Sequence, residues 1–131
     1  MNVLYADDDV DDREIFCEAI NEINPAIKVV LGTDGEETLE ILSVQKELPN
    51  LIFLDINMPR MDGIECLVKL KSDPRLRDIP VIIYSTTSSE SAQSKMALLG
   101  ASDFILKGYS FESIKKSLHK ILSGQYGFSD Q

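Results

Sequence analysis

The chain has 131 residues, 22 of them Asp or Glu and 13 Lys or Arg, for a net charge of −9. This acidity argues against nucleic acid, whose affinity comes mainly from Lys and Arg on phosphates, and against an anionic membrane surface. A single domain of this length buries about two-thirds of the surface its unfolded chain exposes, so neither a disulfide nor a metal is needed for folding. No apolar run approaches the roughly 20 residues of a membrane span. The N-terminus reaches Asp7 too soon for a signal peptide, and Cys17 and Cys66 read as two reduced thiols. A cytoplasmic protein is expected.

In chain order, apolar runs alternate with amphipathic stretches. Val3 to Ala6 is a short strand that ends abruptly in acid. Ile15, Phe16, Ala19, Ile20 and Ile23 mark one face of a helix, stopped by Asn24-Pro25. Ile27 to Leu31 reads as the second strand. Asp34 with Glu37 three residues on predicts a capped helix that buries Leu39 and Leu42. Leu51 to Leu54 is the most apolar strand and stops at Asp55. Asp62 caps a third helix, which Ser72-Asp73-Pro74 closes. Pro80 opens a fourth strand, Val81 to Tyr84, followed at once by Ser85. Thr87 and Glu90 suggest a capping box for the fourth helix, which ends near Gly100. Phe104 to Leu106 runs into Lys107, and Ser110 caps a last helix with Phe111, Ile114, Leu118, Ile121 and Leu122 on one side. Residues 123–131 read as a polar, frayed tail.

Five strand–helix pairs with near-continuously apolar strands predict an open, doubly wound α/β sheet of parallel strands, with helices on both faces. In such a fold the ligand site lies outside the carboxyl ends of the strands. Asp7, Asp8 and Asp9 follow the first strand, Asp55 the third, Ser85 ends the fourth and Lys107 follows the fifth. Gathered on one edge, Asp7, Asp8 and Asp55 repel one another. Protonation would relieve them, raising at least one pKa, and so would a divalent cation. An all-oxygen set favours a hard ion such as Mg²⁺ or Ca²⁺. One Mg²⁺ and Lys107 would balance the three carboxylates and leave a site suited to phosphate, with a carboxylate as possible nucleophile.

Each residue also has a plainer reading. The acids from Asp7 to Asp12 suit a helix N-terminus, and for Asp9, Asp11 and Asp12 that reading is adopted. Asp7, Asp9, Asp11 and Glu18 fall at EF-hand ligand positions, but Asp12 stands where that loop needs glycine, and a strand precedes instead of a helix. Ser85 alone suits a cap, Lys107 a solvated strand end, and Phe104 plain core. His119, the single histidine, lies off the apolar side of the last helix and reads as solvated.

The acidic triplet, Leu54-Asp55-Ile56-Asn57-Met58-Pro59-Arg60-Met61-Asp62-Gly63, Pro80 to Ser85, and Gly100 to Lys107 together resemble the receiver domain of two-component response regulators over residues 2 to about 123. The resemblance implies a flavodoxin-like strand order 2-1-3-4-5. It implies a stand-alone, chemotaxis-regulator-like receiver over residues 1–123 with a short tail at 124–131 and no output domain. It also implies Mg²⁺ held by Asp8 directly, by Asp7 mainly through water, by Asp55 and by the Asn57 backbone carbonyl. Asp55 would accept a phosphoryl group from a histidine kinase or phosphotransfer protein, with Lys107 and Ser85 on the phosphoryl oxygens. Ser85 and Phe104 would form a switch toward a downstream effector protein, while Asn57 and Thr87 tune dephosphorylation. Such a domain is a signalling module that assists its own modification, not an enzyme acting on external substrate. Alternatives are a phosphorelay intermediate or a small Mg²⁺-dependent phosphatase using an aspartyl-phosphate. A flavodoxin-like FMN carrier fares badly, since three aspartates stand where a Ser/Thr/Gly-rich phosphate loop is needed. One departure is Gly108 where receivers usually carry proline after the lysine; a trans peptide and a freer loop are expected there.

Overall fold

The computed structural model describes residues 1–86, 89–108 and 110–128. Its elements alternate strictly: β1 (Asn2–Ala6), α1 (Val10–Ile23), β2 (Lys28–Gly32), α2 (Gly35–Val44), β3 (Leu51–Leu54), α3 (Gly63–Ser72), β4 (Val81–Ser85), α4 (Glu90–Leu98), β5 (Asp103–Leu106) and α5 (Phe111–Leu122). The five strands form one parallel sheet in the order β2-β1-β3-β4-β5. Register aligns Ala6 with both Gly32 and Leu54, Leu54 with Ile83, and Ser85 with Leu106. The carboxyl ends of the strands therefore reach one edge together.

The period-2 alternation of strand side chains splits the core into two layers. Leu4, Ala6, Ile52, Leu54, Val81, Ile83 and Phe104 face α2, α3 and α4 through Leu42, Leu67, Leu70 and Met96. Val3, Tyr5, Phe53, Ile82 and Tyr84 face α1 and α5 through Phe16, Ile20, Leu118 and Ile121. Burial on both faces explains why β1, β3 and β4 read as continuous apolar runs instead of alternating ones. Phe16 anchors the second layer, its ring 4.2 Å from Tyr5 and 5.1 Å from Phe53.

The helix starts follow side-chain chemistry. Asp34, Asp62 and Ser110 each accept from the backbone N–H three residues on, as their spacing predicts. The reciprocal half of the Asp34 box differs: Glu37 accepts from the N–H of Thr33 at 2.9 Å. The fourth helix departs further. Ser89, not Thr87, is its cap, accepting from Ala92 N–H at 3.1 Å. Five hydroxyl residues, Ser85 to Ser89, run together here, so spacing alone does not single out the cap. The second strand begins at Lys28, because Ile27 N–H is drawn into a turn on the Asn24 carbonyl. The tail is docked through residue 128: Gly127 N–H donates to Asp103 at 3.1 Å, while Tyr126 and Phe128 pack on opposite core layers. Partial burial of two aromatic rings outweighs the fraying that the polar composition suggested.

Gly63 positions the loop after β3. A Cβ there would lie 2.2 Å from the Asp55 carbonyl oxygen and 2.9 Å from Ile56 Cα. Backbone, not a flexible side chain, occupies the space. Gly63→Ala is therefore expected to lower stability by about 1–3 kcal/mol, read as a reduced urea midpoint at unchanged m-value.

Candidate functional site

The sheet edge gathers the acids that the sequence places at strand ends. One carboxylate oxygen from each of Asp7, Asp8 and Asp55 lies within 4.8 Å of the others. Asp7 is fully buried, Asp55 is 6% exposed, and Asp8 faces solvent. Asp7 and Asp8 share a site because the bend between β1 and α1 turns successive residues apart: Asp7 inward, Asp8 outward.

Asp7 is held from three directions. Its Oδ1 accepts from Asp9 N–H at 3.0 Å. Its Oδ2 accepts from Lys107 Nζ at 2.6 Å and from the Tyr5 hydroxyl, which rises from beneath. With both oxygens engaged, Asp7 is better suited to act on a metal's water shell than to replace it. Asp8 keeps its oxygens toward solvent. The donors are all oxygen, the set that a hard dication prefers. Asp7, Asp8 and Asp55 fit Mg²⁺ by that chemistry.

Burial first, and then the charge of Asp7, push the Asp55 carboxyl up to about 6, with Lys107 pulling the other way. Of the two expected forms of relief, partial protonation of Asp55 is the one that acts in the metal-free cluster. Burial works against the charge on Lys107, but hydrogen bonds to Asp12 and Asp7 and the field of Asp55 outweigh it and hold the ammonium above the usual lysine range. Burial also pushes Tyr84 up to about 12, against the pull of Lys107, and keeps Tyr5 protonated as a donor to Asp7.

Lys107 approaches three acids: Asp7 at 2.6 Å, Asp12 at 2.8 Å and Asp55 at 3.6 Å. Its backbone N–H donates to the Ser85 carbonyl at 2.8 Å, which ties the ends of β4 and β5 together. The Lys107–Gly108 bond is trans. Ser85 is buried. Phe104 is buried in the layer facing α2 to α4, in register with Ile83 on β4. Asn57 is exposed, two residues beyond Asp55 in the loop between β3 and α3. Thr87 lies outside the described residues. His119 is exposed, as expected.

Asp12 corrects the sequence reading. Taken as helix-end acid alone, it also grips the lysine of the site. The signal for this was its position on the third residue of α1, directly above a strand end. Nothing in the sequence showed that Lys107, 95 positions away, would reach it.

The match to the response regulator receiver domain covers residues 3–119. Response regulator RR06 of Streptococcus pneumoniae is 33% identical over 131 residues, which span 99% of this chain and 57% of that protein. The probable chemotaxis protein CheY of Rhizobium etli is 26% identical, with 92% of each chain covered. Among solved structures, the phosphorylated cyanobacterial phytochrome response regulator RcpA superposes with a TM-score of 0.84 at 29% identity, covering 92% of this chain and 89% of that one. The Mn²⁺-bound form of response regulator Rcp1 gives 0.82 at 26%, covering 93% and 91%. Among the described residues, no helix is long and apolar enough to cross a membrane.

The raised Asp55 pKa sets a pH dependence. Between the ordinary value of 3.8 and about 6, the native state holds a proton that the unfolded chain releases. Stability from this group is therefore full below about pH 4 and lost as pH rises through about 6. In metal-free buffer, Asp55→Asn should raise the melting temperature at pH 7.5 and leave it little changed at pH 4, as thermal melts followed by circular dichroism would read.

Proposed function

The chain belongs to the response regulator receiver domain family, and we propose that Asp55 is its phosphoacceptor. The observation that carries this reading is the convergence of Asp7, Asp8 and Asp55 within 4.8 Å, with Lys107 Nζ 3.6 Å from Asp55. An Asp55 oxygen attacks the phosphorus of a phosphohistidine on a histidine kinase or phosphotransfer protein. The P–N bond breaks, the imidazole leaves with the electron pair and takes up a proton, and an acyl phosphate remains on Asp55. Such a transfer asks for alignment and charge compensation more than covalent help.

Mg²⁺, when bound, neutralises charge between the carboxylates and the incoming phosphoryl oxygens. Asp8, Asp55 and the Asn57 backbone carbonyl would hold the ion, with Asp7 acting mainly through water. Lys107 compensates one phosphoryl oxygen. Ser85 donates its hydroxyl to another, drawn toward the roughly doubled charge that phosphorylation creates. By the resemblance to receivers, Asn57 and Thr87 are the positions that tune how fast water removes the phosphoryl group.

The output is a change of packing around Phe104. Buried in one state, this ring would rearrange as Ser85 moves and so remodel the surface of α4, β5 and α5. A groove of about 1070 Å³ lined by Gln93, Phe104, Leu106 and Phe111 opens on this side, and Leu106 is half exposed. A downstream protein reading that surface receives the signal in the cytoplasm. Residues 1–123 form the receiver unit and 124–131 its tail. Neither a carrier of FMN nor a phosphatase of external substrates is favoured by the family match.

Incubation with Mg²⁺ and acetyl phosphate should add one phosphoryl mass to the native chain. Asp55→Asn should abolish the gain, and chelation of Mg²⁺ should do the same, read by intact-protein mass spectrometry. Equal labelling of the Asn variant would refute the assignment.

A further inference from the structure

Lys107 lacks the proline that usually follows the lysine in receivers. Gly108 takes that place, and the fold is built around its absent side chain: a Cβ would lie 2.0 Å from Ser113 Oγ and 3.0 Å from Ser113 Cβ. Glycine constrains the backbone least of all residues. Something other than the loop must therefore fix the ammonium, whose side chain is only 9% exposed.

The first turn of α1 supplies it. Asp12 stands on the third helical residue, from which an acid would ordinarily reach back to the N–H of the cap residue, Asp9. That N–H is already taken by Asp7 Oδ1 at 3.0 Å, and Asp9 itself caps the helix by accepting from Asp12 N–H at 3.0 Å. The Asp12 carboxylate is thus released from capping, and it accepts from Lys107 Nζ at 2.8 Å. An ammonium has three donors. Asp7 and Asp12 take two, and Asp55 Oδ1 stands at 3.6 Å, beyond hydrogen-bond length.

We propose that Asp12 is a positioning residue for phosphoryl transfer, holding Lys107 off the Asp55 carboxylate. One N–H stays aimed at the space above Asp55, and both Asp55 oxygens stay available for metal and phosphorus. Without Asp12, the ammonium slides toward Asp55 and ties up the nucleophile. The role rests on Asp55 as phosphoacceptor and adds to it a contact that does the work of the missing proline.

The test has a metal-free arm and a kinetic arm. NMR selective for lysine NH₃⁺ groups, on the metal-free full chain, should show a protected Lys107 signal, identified by its loss in Lys107→Met. Asp12→Ala should shift that signal and speed its hydrogen exchange. The rate of Asp55 phosphorylation by acetyl phosphate at saturating Mg²⁺ should fall about tenfold or more. Asp12→Glu, which keeps the charge, should recover part of the rate, while Asp12→Asn should fall between Ala and native. A native or faster rate in Asp12→Ala overturns the proposal, since a faster one would mean that Asp12 only repels the anionic donor. An unmoved Lys107 signal overturns it equally. If the native chain itself gains no phosphoryl group, the assignment of Asp55 fails first and takes this role with it.

Discussion

Crowded negative charge at the carboxyl edge of β1 and β3 is the constraint that organises this molecule. Asp7, Asp8 and Asp55 converge within 4.8 Å, two of them buried. Carboxylates brought that close in a partly dry environment are costly. Each neighbouring feature can be read as a response to that cost: the buried Tyr5 donor, the ammonium of Lys107, the proton drawn to Asp55 and the affinity for a dication that the oxygen set implies. Adding Asp12 brings the cluster to four carboxylates, three of them within 3.6 Å of the Lys107 ammonium, so the compensation by Lys107 and one Mg²⁺ that balances three acids leaves this cluster one charge negative. That residual favours cations and makes control of the single lysine more consequential.

The sheet makes the crowding affordable. Parallel register carries each strand's last apolar residue to the same edge, and two core layers clamp the strands from both sides. Mobile strand ends would let the acids spread apart. Rigid packing beneath, with Tyr5 and Phe16 stacked at 4.2 Å, withholds that escape. The loop after β3 is pinned by Gly63, whose N–H donates to the Ile56 carbonyl at 2.8 Å and whose Cα leaves no room for a side chain beside the Asp55 carbonyl, so stability and site geometry depend on the same few atoms.

Much of this was legible from residue order. Strands buried on both faces announce themselves as apolar runs, and the abrupt change to Asp7, Asp55, Ser85 and Lys107 marks where they end. Asp34, Asp62 and Ser110 declared their helices because capping is local chemistry. Local ambiguity explains the miss at the fourth helix, where Ser89 takes the cap in a run of hydroxyl residues. The return of Tyr126 and Phe128 to the core depends on surfaces that distant strands create. Asp12 is the clearest case: its local signal, an acid in the first turn, was complete and correct, yet silent about Lys107. Pairings across 95 positions belong to the tertiary fold and not to any window of sequence.

The phenol beneath Asp7 has a practical consequence. The chain has four tyrosines and no tryptophan, so its near-ultraviolet emission is tyrosine emission. Tyr5 donates to a carboxylate of the cluster, and the Tyr84 ring lies 5.8 Å from Lys107 Nζ. A phenol grows more acidic on excitation, and a hydrogen-bonded carboxylate quenches its light by accepting the proton. The Tyr5 share of that emission therefore reports how Asp7 is shared among its partners, with no dye or label required.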